Sequence, residues 1–165
     1  DRMDSRVEGA AAVFESQGAG RIDLIWSGGR VVTPGRFLLA EGGPRTSGRG
    51  VAISMSLEDA NFACRNGFAC LLDSSSLPFG PRLQAFAKEC LFVVPEGRPL
   101  LEQSGGGDPE AYRSAVLWID AASRYEGSGV WRRIDGAGER FEIEFDAQSQ
   151  PMDHTATIGE WPGEE

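Results

Sequence analysis

The sequence predicts an α+β fold in which short helices surround mixed and antiparallel sheets. Three observations support this fold class. Apolar residues recur at helical spacing near the start of the chain, apolar and polar residues alternate from Ile22 onward, and alternation dominates again after Ser114. At 165 residues the chain is long enough for one hydrophobic core and too short for two comfortable domains. We therefore expect a single α+β domain over residues 1–146.

Helices are predicted where capping residues precede an apolar face. Residues 1–21 are expected to form an N-terminal helix, because residues 4–17 combine cap-like polar residues with apolar residues at helical spacing. Further short helices are expected after Thr33-Pro34 and after Ser56, whose hydroxyl would cap its helix. Asp108-Pro109 is a helix start of the same kind and predicts a short helix through Tyr112.

The remaining apolar runs predict strands. Ile22, Leu24 and Trp26 alternate with polar or exposed positions over a span too short for a helix. Residues 68–72 and 90–94 are short apolar runs of the kind found in buried strands. Residues 114–146 contain three alternating runs separated by glycine turns, which predicts a C-terminal antiparallel meander.

Composition excludes several classes of partner. The formal net charge of −9 argues against a phosphate-backbone binder, which would need clustered Lys and Arg. No apolar run approaches the ~20 residues that a membrane-spanning helix requires. We expect a soluble protein with neither a nucleic-acid partner nor a membrane-spanning segment.

Cysteine usage favours a reducing intracellular compartment or organelle over secretion, without identifying the compartment. The chain has three cysteines, an odd number for a disulfide framework, and a single histidine, His154. Metal sites usually combine paired cysteines with several histidines. The sequence therefore predicts no metal site.

The C-terminal residues differ from the rest in charge. Residues 147–165 contain no Lys or Arg, and their carboxylates are Asp153, Glu160, Glu164 and Glu165. A segment with so little apolar surface is expected to be an extended acidic tail that becomes ordered on contact with another protein chain. We therefore expect other protein chains as partners.

Two glycine-containing stretches carry a resemblance to a known family. Leu24-Ile25-Trp26-Ser27-Gly28-Gly29-Arg30 precedes a predicted short helix, and Gly48-Arg49-Gly50-Val51-Ala52-Ile53 follows it. This order resembles the front half of a poly(ADP-ribose) polymerase-type ADP-ribosyltransferase domain. The resemblance implies that residues 22–101 form a split sheet of that type.

The resemblance also implies an altered NAD pocket. Ser27 stands where the family has a histidine, Ala52 stands where it has a stacking tyrosine, and Gly28, Gly29 and Arg30 would complete the cofactor-binding set. Glu89, at the entry of a predicted strand, corresponds to the family's catalytic glutamate. Alanine has no ring on which the nicotinamide can stack, so no cofactor is expected unless the chain is an active enzyme, in which case the cofactor is NAD.

The first functional hypothesis is a non-catalytic ADP-ribosyltransferase-like domain that serves as a protein-binding or structural subunit of a larger assembly. One alternative is an active, divergent mono-ADP-ribosyltransferase that uses NAD with Glu89 as its catalytic residue. The other is an unrelated α+β accessory protein. Enzyme activity is left open, and the altered positions Ser27 and Ala52 favour its absence.

Overall fold

The chain forms a β-solenoid in a computed structural model that describes residues 4–6, 10–16, 20–42, 51–73, 80–127 and 129–144. Fifteen strands and one short helix lie within these residues. The strands are β1 (Asp4–Arg6), β2 (Ala10–Ser16), β3 (Gly20–Ser27), β4 (Arg30–Thr33), β5 (Arg36–Gly42), β6 (Val51–Glu58), β7 (Asn61–Cys64), β8 (Ala69–Asp73), β9 (Arg82–Lys88), β10 (Leu91–Val93), β11 (Pro99–Gly105), β12 (Val116–Ala121), β13 (Arg124–Glu126), β14 (Val130–Gly136) and β15 (Glu139–Glu144), and the helix is α1 (Pro109–Ser114).

The strands stack into three sheets, because each turn of the chain adds one strand to each sheet in succession. Sheet A has the order β1-β4-β7-β10-β13, sheet B the order β15-β14-β11-β8-β5-β2, and sheet C the order β12-β9-β6-β3. All neighbouring strands are parallel except β14 and β15, which form an antiparallel hairpin. Each coil takes roughly 30 residues, within the range of known solenoid repeats.

The core consists of rows of inward side chains that run along the solenoid axis. Alternate residues of each strand point inward, so in-register strands place equivalent positions on top of one another. In sheet A one row contains Val31, Phe62, Phe92 and Tyr125. The rings of Phe62 and Phe92 stack with centroids 5.4 Å apart, and those of Phe92 and Tyr125 with centroids 5.1 Å apart. Aromatic stacking therefore joins successive coils.

A two-residue turn connects sheet C to sheet A in each coil. Its first position is Gly28, Asp59, Glu89 and Ala122 in successive coils, and all four have positive φ. The backbone N–H of each of the first three donates to a carbonyl of the following coil, with Gly28 bonding to Glu58 at 2.8 Å. These turns, which we call the C/A turns, fix the alignment of adjacent coils because one misplaced residue would reverse the inward and outward faces.

The C-terminal end of the solenoid is closed by α1. Asp108 caps this helix by accepting a hydrogen bond from the Glu110 backbone N–H at 3.0 Å. Tyr112 packs against Gly105, Gly107 and Gly136, where an added Cβ would lie less than 3 Å from existing atoms. The glycines therefore make room for the tyrosine ring that holds α1 against the last coils.

Arg132 is buried beneath the end of α1. Its guanidinium donates to the Gln103 side-chain oxygen and to the backbone oxygens of Tyr112 at 2.8 Å and Arg113 at 3.2 Å. Burial, and secondarily the nearby Arg113, lower the pKa of Arg132 to about 10, so the group stays charged at neutral pH. The carbonyls at the negative end of a helix are suitable partners for this cation.

The N-terminal end has a different character. Ile22, Leu24 and Trp26 of β3 continue the inward rows of sheet C but are only half-buried, whereas Ile53, Met55 and Leu57 in the next coil are buried. The apolar side chains of β3 thus contact the second coil on one side and remain partly exposed to solvent on the other.

The predicted α+β fold class is wrong, because the chain is mostly parallel β-structure. The described residues contain neither a split sheet of the ADP-ribosyltransferase type nor the short helices expected around it. The N-terminal segment expected to be helical contains β1 and β2. The segments after Thr33-Pro34 and Ser56 contain β5 and the end of β6 followed by β7. Pairing with adjacent coils overrides local helical patterns here.

The predicted meander over 114–146 is also wrong as a unit. β12 and β13 belong to parallel sheets C and A, and only β14 and β15 pair in antiparallel fashion. The predicted strands at 22–26 and 68–72 and the helix starting at Asp108-Pro109 are confirmed. The acidic tail at 147–165 and His154 lie outside the described residues.

No helix in the part of the chain that the structure describes is long and apolar enough to cross a membrane.

Candidate binding groove

A groove of about 450 Å³ lies on the outside of the solenoid where sheet A meets sheet B. We call it the corner groove. It is lined by Val32, Thr33, Pro34, Ala63, Cys64, Arg65, Val93, Val94, Pro95 and Gly127. Its volume lies within the range typical of ligand-binding clefts.

The corner groove is built from equivalent positions in successive coils. Val32, Ala63 and Val93 are in register on the outer face of sheet A. With coils spaced by ~4.8 Å, the groove extends for ~14 Å along the axis from β4 to the turn after β13. The walls are therefore an elongated apolar strip rather than a round pocket.

The turns after the strands of sheet A shape one wall of the groove. The Arg65 backbone N–H donates to the Thr33 carbonyl at 3.1 Å, and the Thr33 hydroxyl accepts from the Gly35 backbone N–H at 3.0 Å. Gly127 has positive φ, and an added Cβ there would lie 2.3 Å from the Val94 carbonyl oxygen. Adjacent coils can approach at this point because residue 127 is glycine.

Cys64 borders the groove but lacks the properties of a nucleophile. The residue is buried, and burial raises the pKa of its thiol to about 12. The thiolate is the reactive form of cysteine, and at neutral pH this side chain is an uncharged thiol. Cys64 therefore packs beside the groove as a small apolar side chain.

Three guanidinium groups surround the apolar strip. Arg30 and Arg124 lie in one outward row of sheet A, and Arg65 lies at the opposite edge, in the groove itself. All three are exposed, and none forms an ion pair among the residues that the structure describes. Glu126 is the carboxylate in register with Val93. β1 continues these rows with Asp4 in register with Arg30 and Arg6 in register with Val32. Together with Arg65, the face therefore carries four arginines against the two carboxylates Asp4 and Glu126 at these positions.

The structure places five of the predicted site residues on one edge of the solenoid. Ser27, Gly28, Gly29 and Arg30 lie in and around the first C/A turn, and Glu89 occupies the equivalent turn two coils later. Successive coils are ~4.8 Å apart, so about 10 Å separates these turns along the axis. The turns form a convex edge, and the Lys88–Glu58 ion pair of 2.6 Å lies next to them.

Ala52 lies far from this edge. It is in register with Arg21 at the beginning of the strands of sheet C, whereas Ser27 is in register with Glu58 at their end. Six positions along a strand correspond to ~20 Å. The structure therefore groups Ser27, Gly28, Gly29, Arg30 and Glu89 and leaves Ala52 apart from them.

Sequence reasoning did not find the corner groove. Val32, Ala63 and Val93 come from different coils, and nothing local distinguishes them from other apolar strand residues. The available signal was the recurrence of Gly67, Gly97 and Gly127 at equal steps of about 30 residues. That period marks the turns after β7, β10 and β13.

No group of three or more side chains suited to hold a metal ion occurs within the described ranges. No protein-family model matches the chain, and no curated protein or solved structure is significantly similar to it. These comparisons neither support nor refute the resemblance to ADP-ribosyltransferases. The interpretation of the corner groove therefore depends on its own geometry and charge.

Proposed function

We propose that this protein is a non-catalytic β-solenoid that binds another protein chain through the corner groove and serves as a subunit of a larger assembly. The main support for this proposal is the elongated apolar strip of Val32, Ala63 and Val93, which is open to solvent and bordered by cations without ion-pair partners among the described residues. Exposed apolar patches rimmed by polar groups are typical of protein interaction sites.

The shape of the groove favours a protein ligand. A cleft of ~14 Å with the same kind of residue at each coil offers repeated contacts to an extended chain. Solenoids commonly bind partners along such continuous faces, since each coil adds one more equivalent position.

The chemistry of the lining favours binding over catalysis. Among the ten lining residues, Arg65 is the one ionised at neutral pH, and Cys64 is an uncharged thiol. General acid–base catalysis needs a group that titrates near the working pH and contacts the substrate. The lining supplies apolar contact and one cation instead.

The ADP-ribosyltransferase alternative stays a prediction. NAD binding would have to use the convex edge that carries Gly28, Gly29 and Glu89, without Ala52. Calorimetry with NAD, compared between the natural chain and Glu89→Ala, tests it directly. Micromolar affinity that Glu89→Ala abolishes would support the enzyme.

Site-specific photo-cross-linking tests the proposed function. A benzophenone amino acid is placed at position 32, 63 or 93 of the full chain in its own cells, and at position 84 as the control. Gln84 is an exposed outward residue of β9 in sheet C. We expect the three groove positions to capture the same protein and position 84 to capture none. Equal capture at position 84, or no capture in the groove, would contradict the proposal.

A further inference from the structure

We propose that the acidic segment 147–165 of the same chain binds in the corner groove and competes there with the partner. The inference rests on the proposed function, since it concerns regulation of the same site. Residues 147–165 lie outside the described residues, and the proposal is supported by their sequence, by the groove, and by the place where the described chain ends.

Charge complementarity is the first argument. The segment carries Asp153, Glu160, Glu164 and Glu165 and has no Lys or Arg. Arg65 lies in the groove, Arg30 and Arg124 lie on the same face of sheet A, and none of the three has an ion-pair partner among the described residues. Carboxylates are the natural partners of exposed guanidinium groups.

Apolar complementarity is the second argument. The segment also contains Met152, Ile158 and Trp161. The strip of Val32, Ala63 and Val93 offers apolar surface of matching character. A ligand that combines carboxylates with large apolar side chains can use both features of the groove, whereas a purely acidic ligand would leave the strip exposed to water.

The exit point of the chain is the third argument. The described chain ends at Glu144, which is in register with Val130, and Gly127 lines the groove three positions earlier. Five or so extended residues cover ~14 Å, so residues 145–165 have ample length to turn back along the groove. A segment tethered this close has an effective concentration in the millimolar range, which favours the same copy over a second copy.

The test uses the purified full chain with the benzophenone amino acid at position 63. We expect irradiation to yield a product of monomer mass in which position 63 is joined to a residue between 147 and 165, identified by peptide mapping. The control at position 84 should give no such product. Irradiation of a mixture of isotopically labelled and unlabelled chains should give cross-links within one copy.

Charge variants sharpen the test. Arg65→Glu should lower the cross-link yield about two- to fivefold, and Arg65→Lys should keep most of it. Lys88→Glu makes the same charge change on sheet C and should leave the yield unchanged. Raising the salt concentration to 1 M should lower the yield, because exposed charges are screened.

The outcomes separate the two proposals. Capture of a partner in cells without a cross-link to 147–165 in the purified chain would overturn this inference and leave the proposed function standing. Absence of both cross-links would overturn both. A product of dimer mass, or equal yields from Arg65→Glu and the natural chain, would also overturn the inference.

Discussion

The two ends of the solenoid terminate in different ways. At the N-terminal end the inward row of sheet C is still apolar, and Leu24 and Trp26 are half-buried. At the C-terminal end the row of Trp26 ends in a polar residue, Asp120, while the other two rows of sheet C end in buried Val116 and Trp118. In sheet B, Arg132 lies in the row of Leu101. Terminal coils of a solenoid need a polar outer face, and polar groups that are buried there need hydrogen-bond partners.

The polar end is stabilised by a continuous set of hydrogen bonds. The Tyr125 hydroxyl donates to Asp120 at 2.5 Å and accepts from the Trp118 indole N–H at 3.1 Å. Ser123 donates its backbone N–H to the same carboxylate, and its hydroxyl accepts from the Cys90 backbone N–H. In β3, at the apolar end, the side chains described form separate hydrogen bonds, Arg21 to Asp23 and Trp26 to the Gly28 carbonyl. The comparison predicts that the two ends respond differently to substitution.

The largest expected loss of stability follows from substitution of Arg132. Arg132→Ala would leave the Tyr112 and Arg113 carbonyls and the Gln103 oxygen without this donor, beneath a helix that needs it. We expect a loss of about 3–5 kcal/mol in the free energy of unfolding, measured by urea denaturation. Arg140→Ala removes an exposed ion pair with Asp135 and should leave the free energy of unfolding nearly unchanged. Equal losses for the two variants would refute a closing role for Arg132.

The second effect compares two positions of one inward row. Leu24 and Met55 are in register, and Met55 is 2% exposed whereas Leu24 is half-buried. Met55→Ala should cost about 2–5 kcal/mol, and Leu24→Ala clearly less, because less surface is removed from water in the folded state. Urea denaturation of both variants measures the difference. A Leu24→Ala loss as large as that of Met55→Ala would mean that the first coil is covered in solution.

The smallest effect concerns pH at the polar end. Burial, followed by the charge of Asp120, raises the pKa of Tyr125 above its ordinary value of 10.0. The folded state therefore keeps this proton above pH 10, where the unfolded chain releases it, so stability is full below pH 10 and falls as the pH rises beyond it. For Tyr125→Phe, the free energy of unfolding should fall less steeply between pH 10 and 11 than it does for the natural chain. Chemical denaturation at each pH measures this difference. The same substitution should also lower the free energy of unfolding by about 1 kcal/mol at pH 7, because it removes the hydrogen bonds of the hydroxyl group.

Local features of the fold could be predicted from the sequence. The alternation of Ile22, Leu24 and Trp26 indicates a strand, and the Asp108-Pro109 start indicates α1, because both signals are contained within a few residues. The helix predicted after Thr33-Pro34 is wrong, because the short apolar run Phe37-Leu38-Leu39 fits a buried strand equally well. Hydrogen bonding of β5 to β2 and β8 makes this run a strand.

The architecture and the groove depend on contacts between residues about 30 positions apart. Val31, Phe62 and Phe92 form one row, yet their surroundings in the sequence differ because the connections between sheets B and C vary in length. Asp59 and Glu89 gave no local sign of their positive φ, which glycine would have given. The recurrence of turns at steps of about 30 residues, rather than local periodicity, indicates this architecture.

The constancy of the C/A turn has a consequence for how the molecule tolerates change in length. Every one of these turns has two residues, whereas the connections from sheet B to sheet C range from a few residues to a segment that contains α1. Insertions can therefore accumulate along one longitudinal edge without disturbing the stack, as loops generally allow. The opposite edge, formed by the C/A turns, fixes the register between coils. A single residue added there would move the aromatic row of sheet A out of alignment with the coil before it.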